Sequence, residues 1–203
     1  MPVAFSVVVD RAVGYAPVEA DWDTYIKDNM NSGVWVQLAN STLAVDTASI
    51  DFQSISGSWA HLMLVAYLRC SGAGLTITTT SLRFNNDSGA NYDRQRLYGN
   101  AAGAIATESF AQTSAYFGSI PGATADPNVF AAYTLFIPHY ANASNNKAFL
   151  SSCAVKGSAS AGLLLSESIA GFWRSNSAIT RITLIPFSGN LVAGSRATLY
   201  GLP

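Results

Sequence analysis

The densest run of oxygen-bearing side chains in this sequence is Asn85-Asn86-Asp87-Ser88-Gly89-Ala90-Asn91-Tyr92-Asp93. Oxygens at Asn85, Asp87, Asn91 and Asp93 are spaced in the manner of a calcium loop. Only Asp87 and Asp93 bring carboxylates, no glutamate closes the run, and the glycine is one place off an EF-hand. Asx residues around a glycine are also what a strand-to-strand turn requires. The turn is the reading carried forward. The two histidines lie far apart, His61 at the head of an apolar run and His139 after Pro138. A hydrolytic triad needs a base within reach of a nucleophile, yet there is no G-x-S-x-G elbow. His61 reads as a satisfied strand-end histidine and His139 as a loop residue. Cys70 and Cys153 sit singly in strand-like runs, so buried free thiols are expected and the spacing of a zinc site is absent. Glu19, Glu108 and Glu167 offer no carboxylate pair for glycoside cleavage. Arg94 and Arg96 alternate on one strand face, as interface contacts or as a solvated face. Trp35, Trp59 and Trp173 with Tyr92, Tyr98, Tyr116 and Tyr140 are candidates for stacking on sugars, against the commoner role of packing a sheet. No catalytic, metal or cofactor residue is nominated.

The elements that would position these residues are strands. Period-two alternation and turn residues mark Val34–Ala39, Ser41–Ala44, Ala48–Gln53, His61–Arg69, Leu75–Phe84, Tyr92–Tyr98, Ser114–Ile120, Val129–Ile137, Ala148–Val155, Leu163–Trp173, Ile179–Ile185 and Arg196–Tyr200. His61–Arg69 is almost wholly apolar and is expected to be covered on both faces. Leu75–Phe84 is expected to turn its threonines outward. There is no βαβ alternation, so the pattern predicts an all-β fold of antiparallel sheets packed face to face, best matched by a jelly-roll sandwich. One segment changes period. Val18, Trp22, Tyr25, Ile26 and Met30 share a helical face, Glu19, Asp21 and Asp23 crowd its first turn, and Gly33 is placed to end it. The expected organisation is an N-terminal arm and amphipathic helix over 1–33 and a β-sandwich body over 34–203.

Three stretches carry a resemblance. WRSNSAITRITLIPFSGNLVAGSRATLYGL near the end, TLAVDTASIDFQSISGSWAHLMLVAYLR and LRFNNDSGANYDRQRLYGN together cover most of residues 41 to 202. They resemble a family of small tailed-bacteriophage virion proteins found in decoration, head-fibre and tail-fibre contexts. The matching motifs are strands and turns, Trp-Arg-Ser, Ser-Gly-Asn and Leu-Tyr-Gly among them. The resemblance implies a virion structural protein on the outer surface of a phage particle, with other virion proteins, such as the major capsid protein, as partners.

Composition fits that expectation. Hydrophobic residues make up 49% of the 203 residues and charged ones only 11%, with a net charge of −1. An average soluble protein carries about 25% charged residues, so this chain either shows water an Ala/Ser/Thr/Asn skin or buries apolar surface in an oligomer. No basic stripe is present to neutralise phosphates, which argues against nucleic acid. The longest uncharged apolar run, Leu62–Leu68, is too short to span a bilayer. The first residues lack a signal-peptide pattern, so synthesis in the host cytoplasm is expected. The expected role is a capsid decoration (cement) protein, assembled as a closed homotrimer. Val18, Trp22, Tyr25, Ile26 and Met30 are its candidate docking or trimer-seam residues, unless they cap the sandwich itself. The alternative is a receptor-binding or carbohydrate-binding tip of a tail or head fibre.

Overall fold

The computed structural model describes residues 35–100, 102–158 and 163–203. The helix expected within 1–33, with its candidate docking residues, lies outside them. Among the described residues twelve strands follow in order: β1 (Val36–Thr42), β2 (Ile50–Phe52), β3 (His61–Leu68), β4 (Ile77–Phe84), β5 (Tyr92–Asn100), β6 (Gly103–Gln112), β7 (Ala115–Pro121), β8 (Ala131–Pro138), β9 (Lys147–Lys156), β10 (Leu164–Trp173), β11 (Ile182–Pro186) and β12 (Arg196–Leu202). They form an eight-stranded sheet, β1-β12-β3-β8-β9-β10-β5-β6, and a four-stranded sheet, β2-β11-β4-β7. Every pairing is antiparallel. The described residues therefore form an all-β sandwich, as the alternation predicts.

The core lies between the sheets. Leu62, Leu64, Ala66 and Leu68 from β3 meet Leu135 and Ile137 from β8, with Phe84, Leu82, Ile182 and Leu184 supplied from the opposite layer. Strand β7 runs across the middle of the large sheet, packs on β8, β9, β10 and β5, and is buried at each of its positions. Its Gly118, at φ 150°, is required by close approach: a Cβ there would lie 2.8 Å from the Cβ of Cys153 and 2.9 Å from the Tyr133 ring. The C-terminal stretch ties the layers together. Strand β11 joins the small sheet, β12 runs between β1 and β3 in the large one, and the connecting turn bonds Ser71 to Asn190 in both directions.

Three expectations are corrected. Among the described residues strand β3 is covered on one face only; Val65 and Tyr67 point outward, 40% and 36% exposed, because the four-stranded sheet lies on one side of the large sheet. The threonines of β4 divide differently from the expected outer face. Thr78 and Thr80 share the buried face with Leu82 and Phe84, and Thr80 stays satisfied there by donating to the Ile185 carbonyl at 3.1 Å. Strand β6 lies in a stretch for which no strand is expected. Nearly all of its positions are exposed, so neither face imposes the alternation that betrays a strand.

Gly171 shows how tightly the inner face is filled, since a Cβ there would lie 2.0 Å from the Phe149 ring. Gly171→Ala is expected to cost about 1–3 kcal/mol as that ring is pushed off its rotamer. A chemical-denaturation midpoint equal to wild type contradicts this packing.

Candidate functional site

Two places gather polar chemistry or accessible surface. The first is inside the sandwich, where β10 meets β7 and β5. Alternation puts Glu167 of β10 on the inner face, and its side chain is wholly buried. Its Oε1 accepts from Arg96 Nη2 at 2.6 Å and from Ser119 Oγ at 2.5 Å, and its Oε2 accepts from Tyr116 OH at 2.9 Å. The Arg96 guanidinium carbon stands 3.9 Å over the Tyr98 ring, and that of Arg94 4.1 Å over Tyr116. Arg94 and Arg96 thus face inward, where the expectation was interface contacts or a solvated face. The reason is a buried carboxylate to neutralise and aromatic faces to lie on. Glu167, read as unpaired in sequence, has its charge partner 71 positions away.

The neighbouring nucleophiles are quenched. Burial, with the Glu167 charge adding, pushes the Cys153 thiol up to about 12, and the same causes raise Tyr116. Burial likewise raises Tyr133, whose hydroxyl donates to the Ser119 carbonyl at 2.5 Å. A thiol held protonated in apolar surroundings is inert, and the Ser119 hydroxyl is committed to a carboxylate. Cys70 and Cys153 are both buried and free, as expected.

The Asn85–Asp93 run is a turn. Asn85 and Asn86 adopt positive φ of 51° and 58°. The oxygens once eligible for calcium are engaged within the protein. Asn85 Oδ1 accepts from the backbone of Thr180 and Arg181, at 2.8 and 3.1 Å. Asp87 accepts from Trp173 Nε1 at 2.6 Å, from Asn91 Nδ2 at 2.9 Å and from the Gly89 N–H at 2.8 Å. Burial works to raise the Asp87 carboxyl, but those bonds hold it below the usual range. Asp93 pairs with Arg174 at 3.2 Å. Among the described residues no group of three metal-ligating side chains is present.

The histidines, remote in sequence, meet at one end of the sandwich. Their rings are 4.8 Å apart, and His61 Nδ1 accepts the His139 backbone N–H at 3.1 Å. That bond fixes His61 with its proton on Nε2, while burial and then the neighbouring imidazole lower its pKa. Sequence separation hid this pair.

The second place is the outer face of the large sheet. Register sets two rows across it: Thr198-Val65-Thr134-Ser152-Ser168-Leu97 and Arg196-Tyr67-Ala132-Ala154-Ser166-Gly99. Small side chains from β8, β9 and β10 make the floor. Tyr67, stacked on Phe130 at 5.0 Å, stands at one side with the Arg196 guanidinium 5.2 Å from its ring, and Leu97 stands at the other. The result is a shallow, mainly apolar groove of about 910 Å³. Of the aromatics considered for sugar stacking, Tyr98 lies on the inner face of β5 with Arg96 over its ring, packed against the core. Trp173, Tyr92, Tyr116 and Tyr140 are buried in the core, Trp59 packs against it, and Trp35 is exposed beside Tyr200. The legible signal for the groove was the alternation of Ala, Ser and Thr with large residues in β8–β10.

No protein-family model matches this sequence, and no curated protein matches it.

Arg96→Ala is expected to destabilise the fold by about 3–5 kcal/mol, because it strands a buried carboxylate. The double variant Arg96→Met, Glu167→Leu should lose less, since the Tyr116 and Ser119 hydroxyls, 3.2 Å apart, can bond each other. A double variant at least as damaged as the single removes the ion pair as the cause. Alkali provides a second check. Cys153 and Tyr92 hold their protons to about 12, against ordinary values of 9.0 and 10.0. Above about pH 9 the unfolded chain releases protons that the folded one keeps. Their stabilisation is therefore whole below that pH and falls as pH rises towards 12. Urea midpoints that do not decline over this range exclude the effect.

Proposed function

We propose that this chain is a structural protein of a bacteriophage particle, a decoration (cement) protein that assembles as a homotrimer on the outside of the head. The observation that carries the assembly reading is strand β6. It is ten residues long and the last strand of the large sheet, pairing among the described strands with β5 alone. It exposes Ile105 at 42% and Phe110 at 61%, and Leu97 on the adjacent strand β5 is 52% exposed. A long apolar edge invites pairing with another chain, and soluble monomers blunt such edges with charge, Pro or short length. Here Glu108 is the one charge on the strand. A closed ring of copies hides such edges without open-ended growth.

The strand orders support the jelly-roll classification. In the small sheet β2-β11-β4-β7, and in β3, β10, β5 and β6 of the large sheet, the order is that of an eight-strand jelly roll. The β8–β10 meander stands where that fold has one strand, and β12 and β1 are added beyond β3. Membership of a virion rests on the resemblance of residues 41 to 202. The location on the head fits the quenched internal nucleophiles and an outer surface suited to packing. A cement protein acts by mass action, binding the assembled shell and opposing its disassembly.

The reading is tested on purified virions by counting this chain against the major capsid protein. A count comparable to the shell protein supports decoration. A few trimers per particle move the chain to a fibre tip, and its absence from particles rejects the reading altogether. For the assembly step, light scattering of the purified chain should give three times the chain mass. Ile105→Lys with Phe110→Lys, at exposed positions, should give a folded monomer; wild type already monomeric at micromolar concentration rules out the β6 seam.

A further inference from the structure

The groove on the outer face of the large sheet is left uncovered by the described residues, and what covers it can be argued from where the described chain begins. Trp35 immediately precedes β1 and packs on Tyr200 with ring centroids 5.9 Å apart. Tyr200 alternates with the buried Leu199 and Gly201, so it faces outward. Trp35, the first described residue, therefore lies on the groove side of the sandwich. From Tyr200 a row of large apolar residues continues in register through Met63 and Phe136 to Leu150, which is 59% exposed. This row borders the groove and leads from the entry point to its middle.

The preceding segment has the chemistry to fit. Residues 17–33 carry Val18, Trp22, Tyr25, Ile26 and Met30 at helical spacing. A floor of Ala, Ser and Thr gives large side chains room to approach the backbone closely. As a helix this segment would measure about 25 Å, and the spacing of strands from β12 to β5 is also about 24 Å. Charge agrees too. The segment bears Glu19, Asp21, Asp23 and Asp28 against Lys27, and the charged side chain at the groove wall is Arg196.

We infer that residues 17–33 of this chain dock, within the same molecule, onto the outer face of its own large sheet, filling the groove between Tyr67 and Leu97. The apolar stripe then caps the sandwich from outside rather than reaching the virion or a trimer seam. The groove of the full chain is closed to other ligands, while the β6 edge stays free for assembly. This does not depend on the phage assignment.

Two measurements on the full chain decide it. The first is limited trypsin digestion at the Lys27–Asp28 bond. Docking protects that bond, and Ala154→Trp, which plants a ring on the exposed floor, should speed its cleavage about tenfold while the body still unfolds cooperatively. Equal rates in the two proteins overturn the inference. The second needs no groove variant. Tyr25 is replaced by the photo-reactive analogue p-benzoylphenylalanine, and the cross-linked peptide is mapped by mass spectrometry. A product at the single-chain mass, joined to β3, β8, β9 or β10 at outward positions such as Val65, Thr134 or Ser152, supports docking. A product of twice the chain mass, a link elsewhere, or no link overturns it. Copy number in virions and the β6 variants report on the proposed function separately, so either reading can fail alone.

Discussion

Four strands cannot cover eight, and the rest of this structure follows from that mismatch. The small sheet lies on one side of the large one, and the continuous core forms where they overlap. Where the overlap ends, each strand of the large sheet needs another solution. At the β12 end Trp59 lies over Gly201, whose missing side chain leaves room for the indole. At the β5 end the inner face is closed by Arg94 and Arg96 stacked on Tyr116 and Tyr98. The outward face and strand β6 receive no cover from the described residues, and there the surface turns to small side chains and exposed aliphatics.

The Glu167 cluster belongs to the same problem. A carboxylate inside a sandwich is tolerated when both of its oxygens are hydrogen-bonded and a cation stands beside it. Here guanidinium, two hydroxyls and stacked rings supply both conditions at the margin of the core. An arginine whose carbons and planar head lie on tyrosine rings seals an edge that leucine would seal less specifically. The cost is rigidity of chemistry: the thiol and phenols nearby are pinned in their neutral forms.

Much of the body was legible because strands covered on one face write their geometry into the sequence. Strands β8, β9, β10 and β12 show plain alternation, and their limits fall within a few residues of those expected. What escaped was set by tertiary partners. Arg96 and Glu167 look like ordinary strand charges until β10 is laid beside β5. His61 and His139 become neighbours through the β3–β8 pairing. The near-continuous apolar run of β3 reads as doubly buried, yet Val65 and Tyr67 line a groove. An apolar side chain facing out has the same letter as one facing in. Strand β6 is the opposite case, a strand with no dry face and hence no pattern.

The electrostatics show what kind of association such a surface permits. The chain has few charges, 11% of its residues, and the fold consumes many of them. Arg181 forms a two-pronged pair with Asp51, Arg174 pairs with Asp93, and Arg96 with Glu167. Arg69 spends its guanidinium on the carbonyls of Ala125, Asp126 and Val129. Asp51 is held ionised although burial opposes it, because Arg181, Thr183 and Gln53 all donate to it. Among the described residues these contacts leave fewer charges to steer a partner over a distance. In the proposed assembly, contacts through the β6 edge therefore gain from apolar burial and strand pairing at short range, and they should respond weakly to salt. A partner is selected on such a surface by shape and edge register rather than by charge, and an identical copy meets that condition without further specification.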